Sequence, residues 1–353
     1  MTNSQEPPCH VFLVCYPGQG HINPTLRLAK KLAAEGLLVT ISTAVHFGKT
    51  LQKAGSIGAG DCPTPVGNGF IRFEFFEDGL QELNPKDVNL ERVVNQIELF
   101  GRPSVTGLIK NQTAENRSVS CLIVNPFLPW TCEVAKVLEI PCAILWVQSC
   151  AVFSIYYHCY HKSVPFPSEL EPKIDVHLPI LPLLKNDEIP SFLHPNNIYG
   201  VLGKVLLSQF SKLSIPFCIL MDTFDELEKD IINYMSNITP LKPIGPLFLN
   251  PQNVETEWGD QVTNAKFLVE DYGVGVRLSR GAEANELISR DEIVRCISEV
   301  MTGDSSGGEF RRNALKLKQA AAAAVVDGGS SHHNIQEFVD EIKKRMNMCS
   351  ECS

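Results

Sequence analysis

The stretch His10-Val-Phe-Leu-Val-Cys-Tyr-Pro-Gly-Gln-Gly-His21-Ile-Asn-Pro24 decides the fold. Residues 10–15 are a short apolar run of the kind that parallel sheets bury on both faces. A turn with two glycines, Gly18 and Gly20, follows. Asn23 suits a helix N-cap and Pro24 suits a first helical turn, so the spacing predicts a helix opening there. Leu28, Ala29, Leu32 and Ala33 share one face of that helix, and Gly36 ends it. Leu37–Thr43 reads as the next strand. Strand, helix and strand in this order form a β-α-β unit, which makes the two strands parallel.

The alternation continues outward. Strand-like runs stand at Phe70–Phe75, Val119–Val124, Cys142–Val147 and Phe217–Met221. Helical patterns fall at 88–111, 130–139, 150–161, 200–213 and 225–236. The proline-rich stretch Val164–Pro195 reads as an extended loop walling a binding cleft, since a long structureless connection is uncommon inside a domain. Residues 1–246 therefore read as one doubly wound α/β domain. A linker signal begins at Pro240 and runs to Glu257, with the junction proper at 247–257. In residues 258–353 the balance changes. Asn264–Asp271 reads as a helix, Gly273–Leu278 as a strand, and Arg290–Met301, Glu309–Val326 and Asn334–Arg345 as helices. Ile335, Phe338, Val339 and Ile342 follow the i, i+3, i+4, i+7 spacing of a buried helical face. One strand cannot make a sheet, so this half reads as part of a domain.

Composition narrows the function. A length of 353 residues fits two domains, and 44% hydrophobic residues supply ample core. A net charge of −9 argues against a nucleic-acid surface or a polybasic membrane patch. The apolar runs are far shorter than the ~20 residues that span a bilayer, so no membrane insertion is expected. Met1 to His10 holds no Lys or Arg, and no secretory leader is read. The 12 cysteines are scattered through apolar runs and read as buried reduced thiols in a cytoplasmic protein. The pair Cys349 and Cys352 has no second pair that would make a zinc or redox site.

In doubly wound sheets ligands bind beyond the carboxyl ends of the strands. The first β-α turn is therefore the leading site, with Gly18 and Gly20 allowing close backbone approach. His21 in that turn could take a proton from an acceptor as a neutral imidazole; the bland alternative is a surface-loop histidine. The turn is not a dinucleotide fingerprint, because Asn23 stands where a third glycine belongs and the second strand ends without an acidic residue. His332-His333 reads as an exposed helix start rather than a metal site, and no metal is expected.

The opening stretch resembles that of plant family 1 UDP-glycosyltransferases. The resemblance continues through Val119-Ser-Cys-Leu-Ile-Val-Asn-Pro-Phe127 and Pro141-Cys-Ala-Ile-Leu-Trp-Val-Gln-Ser-Cys-Ala151. It resumes in Trp258-Gly-Asp-Gln-Val-Thr-Asn-Ala-Lys266, Gly273–Leu278 and Asp327-Gly-Gly-Ser-Ser331. The chain resembles most the subgroup that forms 1-O-glucose esters of hydroxycinnamic acids and gallate, together with the limonoid glucosyltransferases. The resemblance implies an α/β GT-B fold, two Rossmann-like domains across a cleft. The N-terminal one holds a small-molecule acceptor and the C-terminal one a UDP-sugar. It implies inverting transfer from UDP-glucose as donor substrate, with no cofactor. His21 matches the family's catalytic base, with Gly20 and Gln148 in the acceptor pocket.

Two departures stand out against that family. Asn125 takes the place of the aspartate that orients the base. An amide oxygen could still accept a hydrogen bond from the imidazole but would not stabilise imidazolium by charge. That suits a carboxylic acid, already ionised at neutral pH, over a phenol that must lose a proton. The second departure is larger. Of the donor-binding box only the end survives, as Trp258, Asp260 and Gln261, which the resemblance assigns to sugar hydroxyls. The uracil-stacking tryptophan, the phosphate-binding run and the ribose glutamate are absent, a loss of on the order of 100 residues. The N-terminal Rossmann-like domain is thus complete and the C-terminal one truncated. Two readings follow: a UDP-glucose-dependent acyl glucosyltransferase, or an inactive remnant that at most binds acceptor. Helices left without their sheet are expected to promote self-association.

Overall fold

The computed structural model describes residues 9–54, 62–82, 89–197, 199–247, 261–278, 287–301 and 305–351. Its frame is one sheet of β1 His10–Val14, β2 Leu38–Ala44, β3 Thr64–Val66, β4 Gly69–Phe76, β5 Cys121–Val124, β6 Cys142–Trp146, β7 Cys218–Met221 and β8 Leu241–Pro243. The strand order is β3-β4-β2-β1-β5-β6-β7-β8. Every neighbouring pair is parallel except the β3–β4 hairpin at one edge. All the strands read from the N-terminal half are present. The sheet grows outward from β1 in both directions, so the crevice between β1 and β5 is the topological switch point at which such sheets bind ligands.

The helices are α1 Gln19–Ala34, α2 Val45–Lys53, α3 Leu90–Ala114, α4 Trp130–Val137, α5 Cys150–Tyr160, α6 Gly200–Ser208, α7 Asp225–Ser236, α8 Gln261–Glu270, α9 Arg290–Met301, α10 Ser305–Val325 and α11 Ser330–Glu351. Strand residues alternate between the two faces of the sheet. Val11 and Leu13 of β1 pack with Leu28 and Leu32 of α1 and with Ile335 and Phe338 of α11. Phe12 and Val14 pack on the other face with Val105, Trp130, Trp146 and Phe153. The result is a three-layer α/β/α unit, and the helical face read at Ile335, Phe338, Val339 and Ile342 is one of its buried surfaces.

Several expectations need correction. Helix α1 opens at Gln19 rather than at Asn23, because Gly18 is extended and its carbonyl accepts the first helical bond from Ile22 N–H. Pro24 lies inside the helix. Lacking an N–H, it gives Gly20 O no helical bond. Gly36, at φ +89°, sits just past the helix end, where only glycine is unstrained. Helix α2 and strands β3 and β8 were not legible. β8 lies inside the proline-rich linker signal, and its Pro243 is tolerated because an edge strand needs fewer ladder bonds. The strand expected at Gly273–Leu278 does not form. That segment runs without regular structure: among the described residues no strand lies beside it, and Val274 N–H donates to Leu268 O at 2.9 Å while Gly273 O accepts from Asn313 Nδ2 at 3.1 Å.

The C-terminal segment is fastened to the N-terminal unit by charge as well as by α11. The loop over 164–195 holds one bridge, Val176 with Leu184, and two short 3-10 turns at 186–188 and 191–193. Glu188 in that loop is 2% exposed and meets Lys266 Nζ of α8, itself 4% exposed, at 3.0 Å. Arg277 also reaches the Glu188 carboxylate, and Thr263 Oγ1 donates to Glu188 O at 2.6 Å. Burial alone would raise the Glu188 pKa, but the Lys185 N–H, Lys266 and Arg277 outweigh it and hold it below its ordinary value. α9 is less well covered. Ile293, Val294, Ile297 and Met301 are 40%, 51%, 57% and 66% exposed along its outer side.

Two outcomes follow from this packing. Phe338 is 1% exposed and stacks on Phe217 with ring centroids 5.8 Å apart. Phe338→Ala should cost about 3–5 kcal/mol in urea unfolding of the whole chain. A change below about 1 kcal/mol would mean that α11 is not part of the N-terminal core. Glu188→Ala leaves the Lys266 ammonium buried with Glu270 as its remaining partner, at 2.6 Å. The loss should lie near the lower end of roughly 3–5 kcal/mol. Because the folded-state pKa of Glu188 is depressed, its contribution is present above the unfolded carboxylate range and fades as pH falls below it. The cost of the substitution should therefore shrink in urea titrations run in acid.

Candidate active site

His21 lies in the first turn of α1, directly after β1, and Asn125 directly follows β5. Since β1 and β5 are neighbours, the topology brings both to the switch point. Asn125 Nδ2 lies 3.0 Å from His21 Nδ1. Asn125 Oδ1 accepts a hydrogen bond from Phe127 N–H at 3.0 Å. Both side chains are buried, His21 at 7% exposure and Asn125 at 2%. The ring edges of Tyr16 and Phe127 cover the imidazole, with centroids 5.1 and 5.0 Å away. Burial pushes the His21 pKa down to about 3, so the ring is neutral at physiological pH.

These facts correct two expectations. The bland alternative of a surface-loop histidine does not hold, because the helix begins earlier and two aromatic rings close over His21. The Asn125 amide does not offer its oxygen to the imidazole. That oxygen is taken by the Phe127 backbone, and the amide nitrogen faces the ring instead.

Tyr16 and Phe127 also line a narrow cavity of about 60 Å³ with Ile97, Trp130 and Val205. That is room for roughly two waters. Phe192, from the proline-rich loop, packs edge-on against Phe127 at 6.4 Å, so this loop does form one wall near the site. The sequence reading did not single out Tyr16 or Phe127. Their signal was an aromatic residue just beyond the carboxyl end of each of two strand-like runs.

Gly20 is the second residue of α1 and is half-buried. Gln148 is half-buried between β6 and α5, one strand over from Asn125. Its loop is held by Glu228, whose carboxylate accepts from the N–H groups of Cys150 and Ala151 at 2.8 and 2.9 Å. Trp258 and Asp260 lie outside the described residues. Gln261 is the exposed first residue of α8. One turn on, Asn264 Oδ1 accepts from Ser149 Oγ at 3.3 Å, which sets the start of α8 beside the Gln148 loop.

His332 and His333 stand near the start of α11, where His333 lies 3.1 Å from Glu337. Among the described residues no group of three or more His, Cys, Asp or Glu is placed to hold a metal ion. No described helix is long and apolar enough to cross a membrane. The ten described cysteines are free thiols, eight of them buried. Cys349 and Cys352 fall outside the described side chains.

No protein-family model matches the chain. Curated relatives do. A gallate 1-beta-glucosyltransferase of Punica granatum is 40% identical, with 95% of this chain and 89% of that one covered. A limonoid UDP-glucosyltransferase of Citrus unshiu is 38% identical over 95% and 90%. A cinnamate beta-D-glucosyltransferase of Fragaria ananassa is 38% identical over 95% and 83%. The first alignment runs over 463 residues, whereas 95% of 353 is about 335; about 130 positions of the relative face nothing here, a small domain's worth.

Among solved structures, Os79 of Oryza sativa in complex with UDP superposes with a TM-score of 0.76 at 20% identity, covering 94% of this chain and 100% of that one. A UDP-glucosyltransferase of Polygonum tinctorium gives 0.77 at 18%, covering 96% and 99%. These likenesses show the fold, which is GT-B-like with a complete N-terminal Rossmann-like unit. The chain belongs to the plant UDP-glycosyltransferase family, within the group that holds the gallate, cinnamate and limonoid glucosyltransferases, and an internal gap has shortened its C-terminal Rossmann-like unit.

Proposed function

We propose that the site serves transfer of glucose from UDP-glucose to the carboxyl group of a phenolic acid such as gallate or a hydroxycinnamate. The product is a 1-O-glucose ester with the anomeric centre inverted. The observation that carries this reading is Asn125 beside His21, in a chain 38–40% identical to gallate and cinnamate glucosyltransferases. A carboxyl group with a pKa near 4 arrives ionised at neutral pH and needs no strong base. A histidine set against an amide, with a pKa depressed by burial, is a weak base. His21 and Asn125 then order the reacting end of the acceptor, Gly20 and Gln148 border its pocket, and Trp258, Asp260 and Gln261 contact sugar hydroxyls. In this reading 1–246 is the acceptor half, 247–257 the junction and 258–353 the remnant of the donor half. Buried free thiols favour a cytoplasmic setting.

The gap favours a second reading, in which this chain is an inactive remnant that at most binds acceptor. Positioning the anomeric carbon against the acceptor oxygen contributes on the order of 7–11 kcal/mol to catalysis. A diphosphate leaving group also needs fixed donors and positive charge. Asp260 and Gln261 offer a diphosphate no positive charge. The exposed side of α9 falls in the half that lost its sheet, and a second copy of this chain is the partner that would cover it.

Incubating the chain with UDP-glucose and gallate should give turnover more than tenfold below that of a full-length relative. Turnover within tenfold would overturn the inactive state and require a donor site built from other residues. Restoring the relative's missing segment between Glu257 and Trp258 should recover ester formation, with gallate preferred over a phenol of similar shape. A phenol preference would contradict the glucose-ester reading. Sedimentation should show concentration-dependent association that Val294→Glu combined with Ile297→Glu removes; a monomer at every concentration would contradict the role given to α9.

A further inference from the structure

Two loops border the site at the carboxyl edge of the sheet, and α8 is bonded to both. The first joins β6 to α5, where Ser149 Oγ donates to Asn264 Oδ1 at 3.3 Å. The second holds the 3-10 turns at 186–188 and 191–193. Its Phe192 packs edge-on against Phe127, one of the rings that cover His21. Four residues before Phe192, Glu188 O accepts from Thr263 Oγ1 at 2.6 Å, and the Glu188 carboxylate meets Lys266 Nζ at 3.0 Å. Thr263 is fully buried, and Phe267 is 5% exposed in the same apolar cluster as Phe127 and Trp146. α8 thus spans the gap between the two loops. The cavity lined by Tyr16 and Phe127 has room for roughly two waters, too little for a phenolic acid.

We propose that Glu188 is a positioning residue that latches α8 over the acceptor site, so that an acceptor enters only when the Lys266–Glu188–Arg277 cluster opens. The identity of the acceptor rests on the glucose-ester reading; the latch does not. The latch needs a carboxylate at 188. Oε2 accepts from Lys185 N–H at 2.9 Å and from Lys266, and Oε1 accepts from Arg277. Both oxygens face donors, so an amide would set its NH2 group against one of them whichever way it turned.

A cluster of ion pairs suits a contact that must part and re-form. Removing one buried partner strands the charge of the other, whereas parting the whole cluster returns every charge to water. Undocking α8 is therefore less costly than truncating Glu188. Once undocked, α8 has only 10 residues, too few to hold a helix by itself in water. Its opening is consequently visible at its own backbone amides.

The test is native-state hydrogen exchange of the full chain, read by mass spectrometry. The α8 amides should exchange at least about tenfold faster than those of β5 and with little dependence on urea, the mark of a local opening. Glu188→Gln should speed α8 exchange a further tenfold, roughly. Lys266 keeps Glu270 at 2.6 Å in that variant, and Arg277→Gln, at a side chain 27% exposed, repeats the comparison with less disturbance of the core. Exchange of α8 in step with β5 would overturn the proposal, because α8 would then open only with the whole fold. So would α8 exchange that both variants leave unchanged. Stopped-flow mixing with gallate, followed by tryptophan fluorescence, reads access to the site. The association rate should rise about fivefold or more in Glu188→Gln, which a merely structural fastening would not produce. Equal association rates would overturn the gating role. Binding of gallate to neither chain would overturn acceptor entry at this site and the glucose-ester reading with it, while exchange still decides the latch.

Discussion

A strand needs a neighbour, because an unpaired backbone cannot be buried without loss. That constraint divides the molecule. Among the described residues of 10–243 every strand has a neighbour, seven of them parallel in one sheet with helices on both faces. The residues after 260 have no sheet among those described, and everything unusual about them follows. The segment 273–278 has strand composition but no strand beside it among the described residues. α9 keeps an apolar side in water. α8 and α11 are ordered because they borrow partners from the N-terminal unit, α8 through Glu188 and α11 through the core beneath β1 and β5.

Much of this was legible from residues alone, where local pattern and tertiary demand agree. The strand runs from His10 to Met221 are continuous and apolar because both faces of the sheet are covered, and a doubly covered strand has no polar alternation to confuse the reading. β8 was hidden because Leu241-Lys242-Pro243 is three residues long in a proline-rich stretch. α2 was hidden because its burial is confined to Gly48 and Leu51. The start of α1 was misplaced because Asn23 and Pro24 carry a strong cap signal, while the bond that opens the helix comes from the extended backbone of Gly18. A false strand at 273–278 arose for the opposite reason: its composition fits a sheet that is not found among the described residues.

The site was legible as a pair of positions but not as chemistry. The β-α-β pattern put His21 in the turn beyond the first strand, and the resemblance paired it with Asn125. Which end of the amide faces the ring could not be read from either, because it is decided by the backbone N–H of Phe127, a group with no signature in sequence. Burial of His21 was equally hidden, since it depends on Tyr16 and Phe127 meeting over the ring from two separate loops. The consequence is a histidine held neutral by burial and set against an amide, in a pocket whose family ordinarily pairs the residue with a carboxylate.

The account holds that the acceptor half is intact while the means of gripping a nucleoside diphosphate is gone. UDP binding to the chain as it stands tests this most directly, free of any question about turnover or acceptor. Isothermal titration should show no saturable heat up to about 1 mM UDP, an interaction no stronger than about 4 kcal/mol. Saturable one-site binding in the micromolar range would contradict it, and would place a working donor site among the residues that remain.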